Sequence, residues 1–382
     1  MLTNSDLVEL TDFRRHLHRY PELSGQERWT AGEIEAALRD LSPDRIETGL
    51  GGHGVAGVFV GADPGPTLMF RAELDALPID ELSSANHRSA IAGVGHLCGH
   101  DGHSTILLGL ARLIARRRPA RGRVVLLFQP AEEDGSGAAA VRSDPRFGSL
   151  APDWAFALHN MPGVALGRAA VKSGPANCAS QGVKITLTGK TSHASVPERG
   201  ISPALALAHL IPKAIATGGG GAVVPGYRLV TVTHARMGEP AFGISPGEAE
   251  LWLTLRTLLD EDMTALETEV DELVRTTAQD HGLSCAVSRR DVFRACTNNP
   301  EATRIFQNAL DSLGIRREED ALPMRASEDF GRFGENASAA MMLLGAGTDH
   351  PMLHNPDYDF PDALIAPGVA IFEKILRDML GG

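Results

Sequence analysis

Two neighbouring stretches set the architecture: HLCGHDGHSTILLGLARLIARRR at residues 96–118 and RVVLLFQPAEED at residues 123–134. From about His103 the first carries apolar residues at helical spacing and ends in three arginines, where the helix dipole favours positive charge. The second opens on a continuous apolar run, suited to a parallel strand buried on both faces. Upstream, residues 6 to about 41 read as helical, with Pro21 interrupting the pattern. The β-rich runs VAGVFVG and PTLMFRAELDALP follow, separated by the turn-forming GADPG, and downstream DWAFALHN reads as a shorter strand. Strands alternating with helices predict an α/β sandwich.

The pattern changes near Gly174. From Ser180 the order is strand, helix, strand, strand, helix, strand, which matches a ferredoxin-like α+β unit. The glycine run at 218–221 reads as a flexible connection; no Lys-Ser or Lys-Thr follows, so it is not a phosphate loop. After Thr297 the α/β character returns with a helix, the strand AAMMLLGAG and a final helix. The simplest account is one α/β domain (1–176 and 295–382) interrupted by a smaller one (177–294).

Composition narrows the class. A chain of 382 residues with net charge −12 offers no broad phosphate-binding surface, which argues against nucleic acid. Four cysteines are too few and too scattered for a secreted disulfide framework. No basic n-region precedes an apolar run at the start, and no window of about 18 apolar residues occurs, so the expectation is a soluble, cytoplasmic protein without signal peptide or membrane span. The 14 histidines carry more information than any of these totals.

Cys98 and His100 lie two apart in the expected loop before the helix, where dipole and cation stabilise a thiolate. Thiolate and imidazole are preferred ligands of borderline-soft divalent metals. Glu132 and Glu133 follow one buried strand, His159 another, and His350 and His354 a third. Ligand sites in open α/β sheets lie outside the carboxyl ends of the strands, so these segments converge on one edge. An adjacent carboxylate pair suits a division of labour, one binding metal while the other takes a proton from metal-activated water. Each feature also has a bland reading: a buried cysteine, a solvated Glu pair, polar loop histidines. Their coincidence at strand exits favours amide or ester hydrolysis.

The segments RRHLHRYPELSGQE, FRAELDALPI, HLCGHDGHSTILLG, LLFQPAEEDGSGA, FALHNMPG, GKTSHASVPERGISP, SEDFGRF and LHNPDYDF resemble metal-dependent amidohydrolases. That family includes hippurate hydrolase, auxin-conjugate hydrolase and N-acyl-L-amino acid amidohydrolase, relatives of aminoacylase and zinc carboxypeptidases. The resemblance runs in order from about Phe13 to about Glu373. It implies a mixed-sheet α/β/α metallopeptidase-like catalytic domain with an inserted dimerisation or lid domain. It also implies two divalent metal ions (zinc, manganese, nickel or cobalt) held by Cys98, His100, Glu133, His159 and His354, with the thiolate shared. Glu132 matches the general base, Asp75 an acid that orients a ligand imidazole, and His193 a histidine that holds the scissile carbonyl or its oxyanion across a dimer interface. Two positions depart from the pattern. Glu73 stands where relatives commonly have Asp, and Gly243 where they typically have an Asn that contacts substrate. Arg256 is retained and is expected to pair with a substrate carboxylate.

The leading expectation is therefore hydrolysis of a small N-acyl amino acid by a homodimer. A dipeptidase or carboxypeptidase of the same superfamily is the nearest alternative. A thiol hydrolase using Cys98 would leave the extra Glu and His residues without a role, and a non-catalytic metal-binding protein would leave the candidate base unused.

Overall fold

The computed structural model describes residues 1–382, with the side chain of residue 319 outside the description. In chain order the helices are α1 (Asn4–Arg19), α2 (Arg28–Arg39), α3 (His100–Arg116), α4 (Gly137–Ser143), α5 (Ala204–Gly218), α6 (Asp260–Asp280), α7 (Pro300–Leu313) and α8 (Ile365–Leu380). The strands are β1 (Arg45–Leu50), β2 (Gly54–Val60), β3 (Asp63–Glu73), β4 (Arg121–Gln129), β5 (Trp154–Pro162), β6 (Ala169–Ala170), β7 (Gly174–Asn177) and β8 (Ala179–Thr188). They continue as β9 (Ser192–His193), β10 (Arg228–Met237), β11 (Ile244–Ser245), β12 (Glu248–Thr257), β13 (Ser284–Phe293), β14 (Cys296–Asn298) and β15 (Ser338–Gly347). The chain divides into two compact units. One comprises Met1–Ala176, Cys296–Leu322 and Asp329–Gly382; the other Asn177–Ala295 and Pro323–Glu328.

The first unit is built on a seven-stranded mixed sheet of order β1-β2-β4-β3-β5-β15-β6. Strands β4, β3, β5 and β15 run parallel, with β1, β2 and β6 pairing antiparallel at the two sides. Leu68 and Phe70 of β3 and Val124, Leu126 and Phe128 of β4 share one core with Leu10 of α1, Ile106 and Leu110 of α3, and Val369 and Phe372 of α8. The intervening Met69, Val125 and Leu127 are also fully buried, on the opposite face. Burial on both faces explains why these strands read as unbroken apolar runs.

The second unit holds a four-stranded antiparallel sheet of order β10-β12-β8-β13. With helices α5 and α6 this is the ferredoxin-like arrangement of strand, helix, two strands, helix, strand. Val183, Ile185 and Leu187 alternate with Lys184 and Thr186, and the apolar set packs on Leu210 of α5 and Val270 of α6. A short ribbon, β9 with β11, was invisible to hydrophobic periodicity because each strand has two residues.

Three sequence-level readings are corrected. Helix α3 begins at His100, three residues before the expected start, because Gly99 turns the chain at φ +91° and leads directly into the helix. His159 lies inside β5, since that strand continues beyond it to Pro162. The glycine run is not only a loose connection: a Cβ on Gly218 would lie 2.3 Å from the Val230 backbone nitrogen, so this glycine allows α5 to close onto β10. Among the described residues, no helix is long and apolar enough to cross a membrane.

Candidate metal centre

Parallel β3, β4, β5 and β15 direct their carboxyl ends to one edge of the sheet, and the chemistry collects there. Asp75 follows β3, Glu132 and Glu133 follow β4, His159 sits near the end of β5, and His354 follows β15. Cys98 and His100 flank Gly99, where a Cβ would meet the Asn160 side-chain nitrogen at 2.5 Å. A side chain at 99 is thus excluded both by that contact and by the left-handed φ.

Cys98 Sγ lies 3.4 Å from His159 Nε2. His100 Nε2 is 3.8 Å from Glu133 and 3.9 Å from Glu132, and His354 Nε2 is 3.6 Å from Glu133. Two triads of these donors, Cys98–His100–His159 and Cys98–Glu133–His354, and a third group, His100–Glu132–Glu133, each have their ligand atoms within 4.8 Å of one another. Cys98 belongs to both triads. The imidazoles are oriented from behind: His100 Nδ1 donates to the Asp75 carbonyl at 2.9 Å, and His159 Nδ1 to the Asn160 carbonyl at 2.7 Å. With Nδ1 committed to a carbonyl, each ring points Nε2 inward, the nitrogen that a metal would take in place of a proton. His100 Nε2 is buried with no hydrogen-bond partner. An orphaned buried nitrogen beside a thiol and two carboxylates fits borderline-soft divalent cations.

Electrostatics agree with that fit. Burial, reinforced by Glu133 and Glu132, pushes the Cys98 thiol well up. Burial and the neighbouring His103 and His100 rings push His159 well down. His100 moves the other way: burial opposes its charge, but Asp75, Glu73 and Glu133 outweigh it and lift the ring to about 10. Packing this many carboxylates around a thiol is unfavourable without added positive charge.

Behind the donors lies a polar network that reasoning from sequence missed. Glu73, noted only as a departure from Asp, is fully buried between Arg71 and His103. Its extra methylene lets one oxygen meet the guanidinium while the other accepts from His103 Nδ1 at 2.7 Å. His103 Nε2 then accepts from the Asn160 backbone and side-chain nitrogens, both at 3.0 Å. Asn160 in turn donates to the Cys98 carbonyl at 2.6 Å. Arg71 also reaches Gln129 at 2.9 Å and Asp329 at 2.6 Å. The second histidine of CGHDGH was the available signal for this relay. His350 holds no such place; its Nδ1 faces the Pro351 carbonyl at 3.1 Å.

Three expected site residues belong to the second unit. His193 is exposed on β9, opposite Ile244. Its Nδ1 accepts from the Ser195 backbone at 3.1 Å and faces the Ser195 hydroxyl at 2.8 Å, so a neutral ring carries its proton on Nε2. Gly243 accepts from the Ala194 backbone at 3.0 Å, and a Cβ there would meet nothing within 4 Å. Arg256 on β12 is half-buried and donates to the Arg325 carbonyl at 3.0 Å and the Ser327 hydroxyl at 2.8 Å. Among the described residues it has no carboxylate partner, and burial lowers its pKa from the usual arginine value.

Comparison with known proteins agrees with this geometry. Hippurate hydrolase of Campylobacter jejuni is 31% identical over 369 residues, covering 96% of this chain and 95% of that protein. N-acetyl-L-cysteine deacetylase of Bacillus subtilis is 29% identical over 375 residues, covering 97% and 88%. A dinuclear metal-binding peptidase of the M20 family from Bacillus subtilis superposes with a TM-score of 0.82 at 25% identity, covering 99% of both chains. The pattern of peptidase family M20/M25/M40 matches residues 69–378, and the chain belongs to that family of hydrolases.

Proposed function

We propose that this protein hydrolyses the amide bond of an N-acyl amino acid or a related conjugate, releasing a carboxylic acid and an amino acid. Cys98, His100, Glu133, His159 and His354 would hold two divalent ions, and Cys98 belongs to both donor sets. The observation that carries this reading is the membership of Cys98 in both donor triads, with Glu132 joined to them through a further group, His100–Glu132–Glu133, at 3.9 Å from His100. Divalent ions bound there would supply the Lewis acidity that acidifies water and polarises the scissile carbonyl. Glu132 accepts the proton of the attacking water and returns it to the leaving nitrogen. Asp75 holds His100 in the tautomer that presents Nε2.

His193 offers Nε2–H to the developing oxyanion, and it does so from the partner subunit of a homodimer. The edge strands β10 and β13 of the second unit supply routes for strand pairing between copies. The segment 177–294 is thus an inserted lid and dimerisation domain, and 1–176 with 295–382 the catalytic one. Arg256, which has no carboxylate partner among the described residues, pairs with the carboxylate of the substrate, and Gly243 leaves open the space that an Asn would fill. All four cysteines are free, in keeping with the reducing cytoplasm.

The test is chelation followed by re-addition of zinc, manganese, nickel or cobalt, scored on a panel varying acyl group and amino acid separately. Turnover should vanish with the metal and return with it, and metal analysis of the purified protein identifies the native ion. Undiminished turnover by folded, metal-free protein would overturn the reading.

A further inference from the structure

Glu27 is completely buried, with no ion-pair partner among the described residues, and one of its oxygens has no hydrogen bond. Such a carboxylate is costly to keep in a fold. Burial, joined by the charge of Asp75, lifts its carboxyl to about 7. Its other oxygen accepts two backbone N–H groups, those of Gly25 and Ala131, each at 2.8 Å.

The second contact matters because of what Ala131 is. It precedes Glu132 and Glu133 and adopts φ +51°, a left-handed conformation that a residue with a Cβ adopts only under constraint. Two residues on, the Glu133 N–H is captured by Asp75 at 2.9 Å, and Asp75 is itself held by the Ser24 hydroxyl at 2.7 Å. The backbone is therefore gripped on both sides of Glu132, directly by Glu27 and through Asp75 by Ser24. Both grips come from the connection between α1 and α2, which no metal donor occupies. The same connection is pinned at its other end, where the Glu22 carboxylate accepts from the backbones of Trp29 at 3.1 Å and Thr30 at 2.8 Å.

We propose that Glu27 is a positioning residue: its carboxylate holds the left-handed turn at Ala131 and so aims the side chains of Glu132 and Glu133. The inference rests on the roles proposed above for those two glutamates. Displacing a catalytic group by an ångström can cost about 100-fold, so loss of this grip should act on turnover more than on substrate binding.

The experiment compares Glu27→Gln, Glu27→Met and Glu27→Asp in the full-length protein. Gln retains an oxygen where Ala131 needs an acceptor, Met removes it at similar size, and Asp withdraws it by one methylene while keeping the charge. Glu27→Met and Glu27→Asp should each lower kcat by about 10- to 100-fold with KM nearly unchanged. Both should also weaken metal affinity, read by competition with a chromophoric chelator, because Glu133 rides on the same turn. Glu27→Gln should stay within about threefold of the parent in both readouts. If Glu27→Met does not fold, Glu27→Asp carries the test. Parent-like kcat and metal affinity in Glu27→Asp, or an equal fall in Glu27→Gln, would overturn the proposal. Glu132→Gln run alongside separates the two ideas: an active Glu132→Gln removes the base assignment, while the metal-affinity arm still judges Glu27.

Discussion

The two sheets of this molecule use their strands in opposite ways. In the first unit β3 from Thr67 and β4 from Val124 onward are buried on both faces, with every residue there enclosed. In the second unit β8 and β12 bury alternate residues against α5 and α6, while Lys184, Thr186, Trp252 and Thr254 lie on the other face. The difference shows where each kind of chemistry can be placed. Buried parallel strands end in a dry edge where carboxylates, imidazoles and a thiol can be held in one geometry by surrounding hydrogen bonds. A one-faced sheet keeps surface free for meeting another molecule, and the exposed His193 and half-buried Arg256 fit that use.

Truncation in the doubly buried core should show the contrast most strongly. Phe70 is fully buried with its ring 5.8 Å from Phe156 and 4.9 Å from Phe372, so Phe70→Ala should cost about 3–5 kcal/mol in denaturant unfolding. A loss under about 1 kcal/mol would mean that this face is not the close-packed core described.

Next in size is the sheet edge that carries Glu132. Glu132→Gln should retain fold and metal but lose at least about 100-fold in kcat, equivalent to ~2.7 kcal/mol of transition-state stabilisation. Near-normal turnover of a good substrate by that variant would remove Glu132 from the mechanism.

A smaller, pH-dependent effect comes from the ionic cluster beneath α3. His18 is buried against Asp101 at 2.9 Å and Glu81 at 3.2 Å, with Arg14, Asp359, His87 and His96 also close. Burial opposes its charge, but Asp101 and Glu81 prevail and raise it to about 9. The folded state then holds this proton more tightly than the unfolded chain. Its contribution is complete below the unfolded value of 6.5 and is lost as pH rises through about 9. Up to about 3 kcal/mol should disappear between pH 7 and 10, and His18→Gln should remove that slope from a plot of Tm against pH. An unchanged slope in the variant would assign the titration to other groups.

The smallest effect belongs to the open face. Trp252 is 43% exposed, with its ring 5.2 Å from the His234 ring and 5.5 Å from Lys184 Nζ. Trp252→Thr should cost only about 1–2 kcal/mol, since Thr suits a strand but part of the ring's burial is lost. A much larger loss would show that this face is covered in solution.

Much of the site was legible because its parts sit in short segments beside strong strand and helix patterns. Cys98, His100, Glu132, Glu133, His159 and His354 can each be placed at one sheet edge from the sequence. Glu27, His103 and Asn160 cannot, because their roles depend on partners far along the chain. Nothing near Glu27 in sequence announces a contact with Ala131, 104 positions away. The early start of α3 was missed for a similar reason. Gly99 is required by its approach to Asn160 and Tyr358, and only the folded chain brings these together.

Hydrophobic periodicity alone determined the two architectures, since a strand buried on both faces and a strand buried on one leave different spacings of apolar residues. Residue types at the expected strand exits, taken with the rule that α/β sheets bind at their carboxyl ends, pointed to thiolate, imidazole and carboxylate at one strand edge. Tertiary structure decided which nitrogen each histidine presents, that Cys98 serves both triads, and that a buried glutamate from the α1–α2 connection grips the turn before Glu132. These are long-range hydrogen bonds and close approaches, and their donors and acceptors carry no periodic signature in the chain.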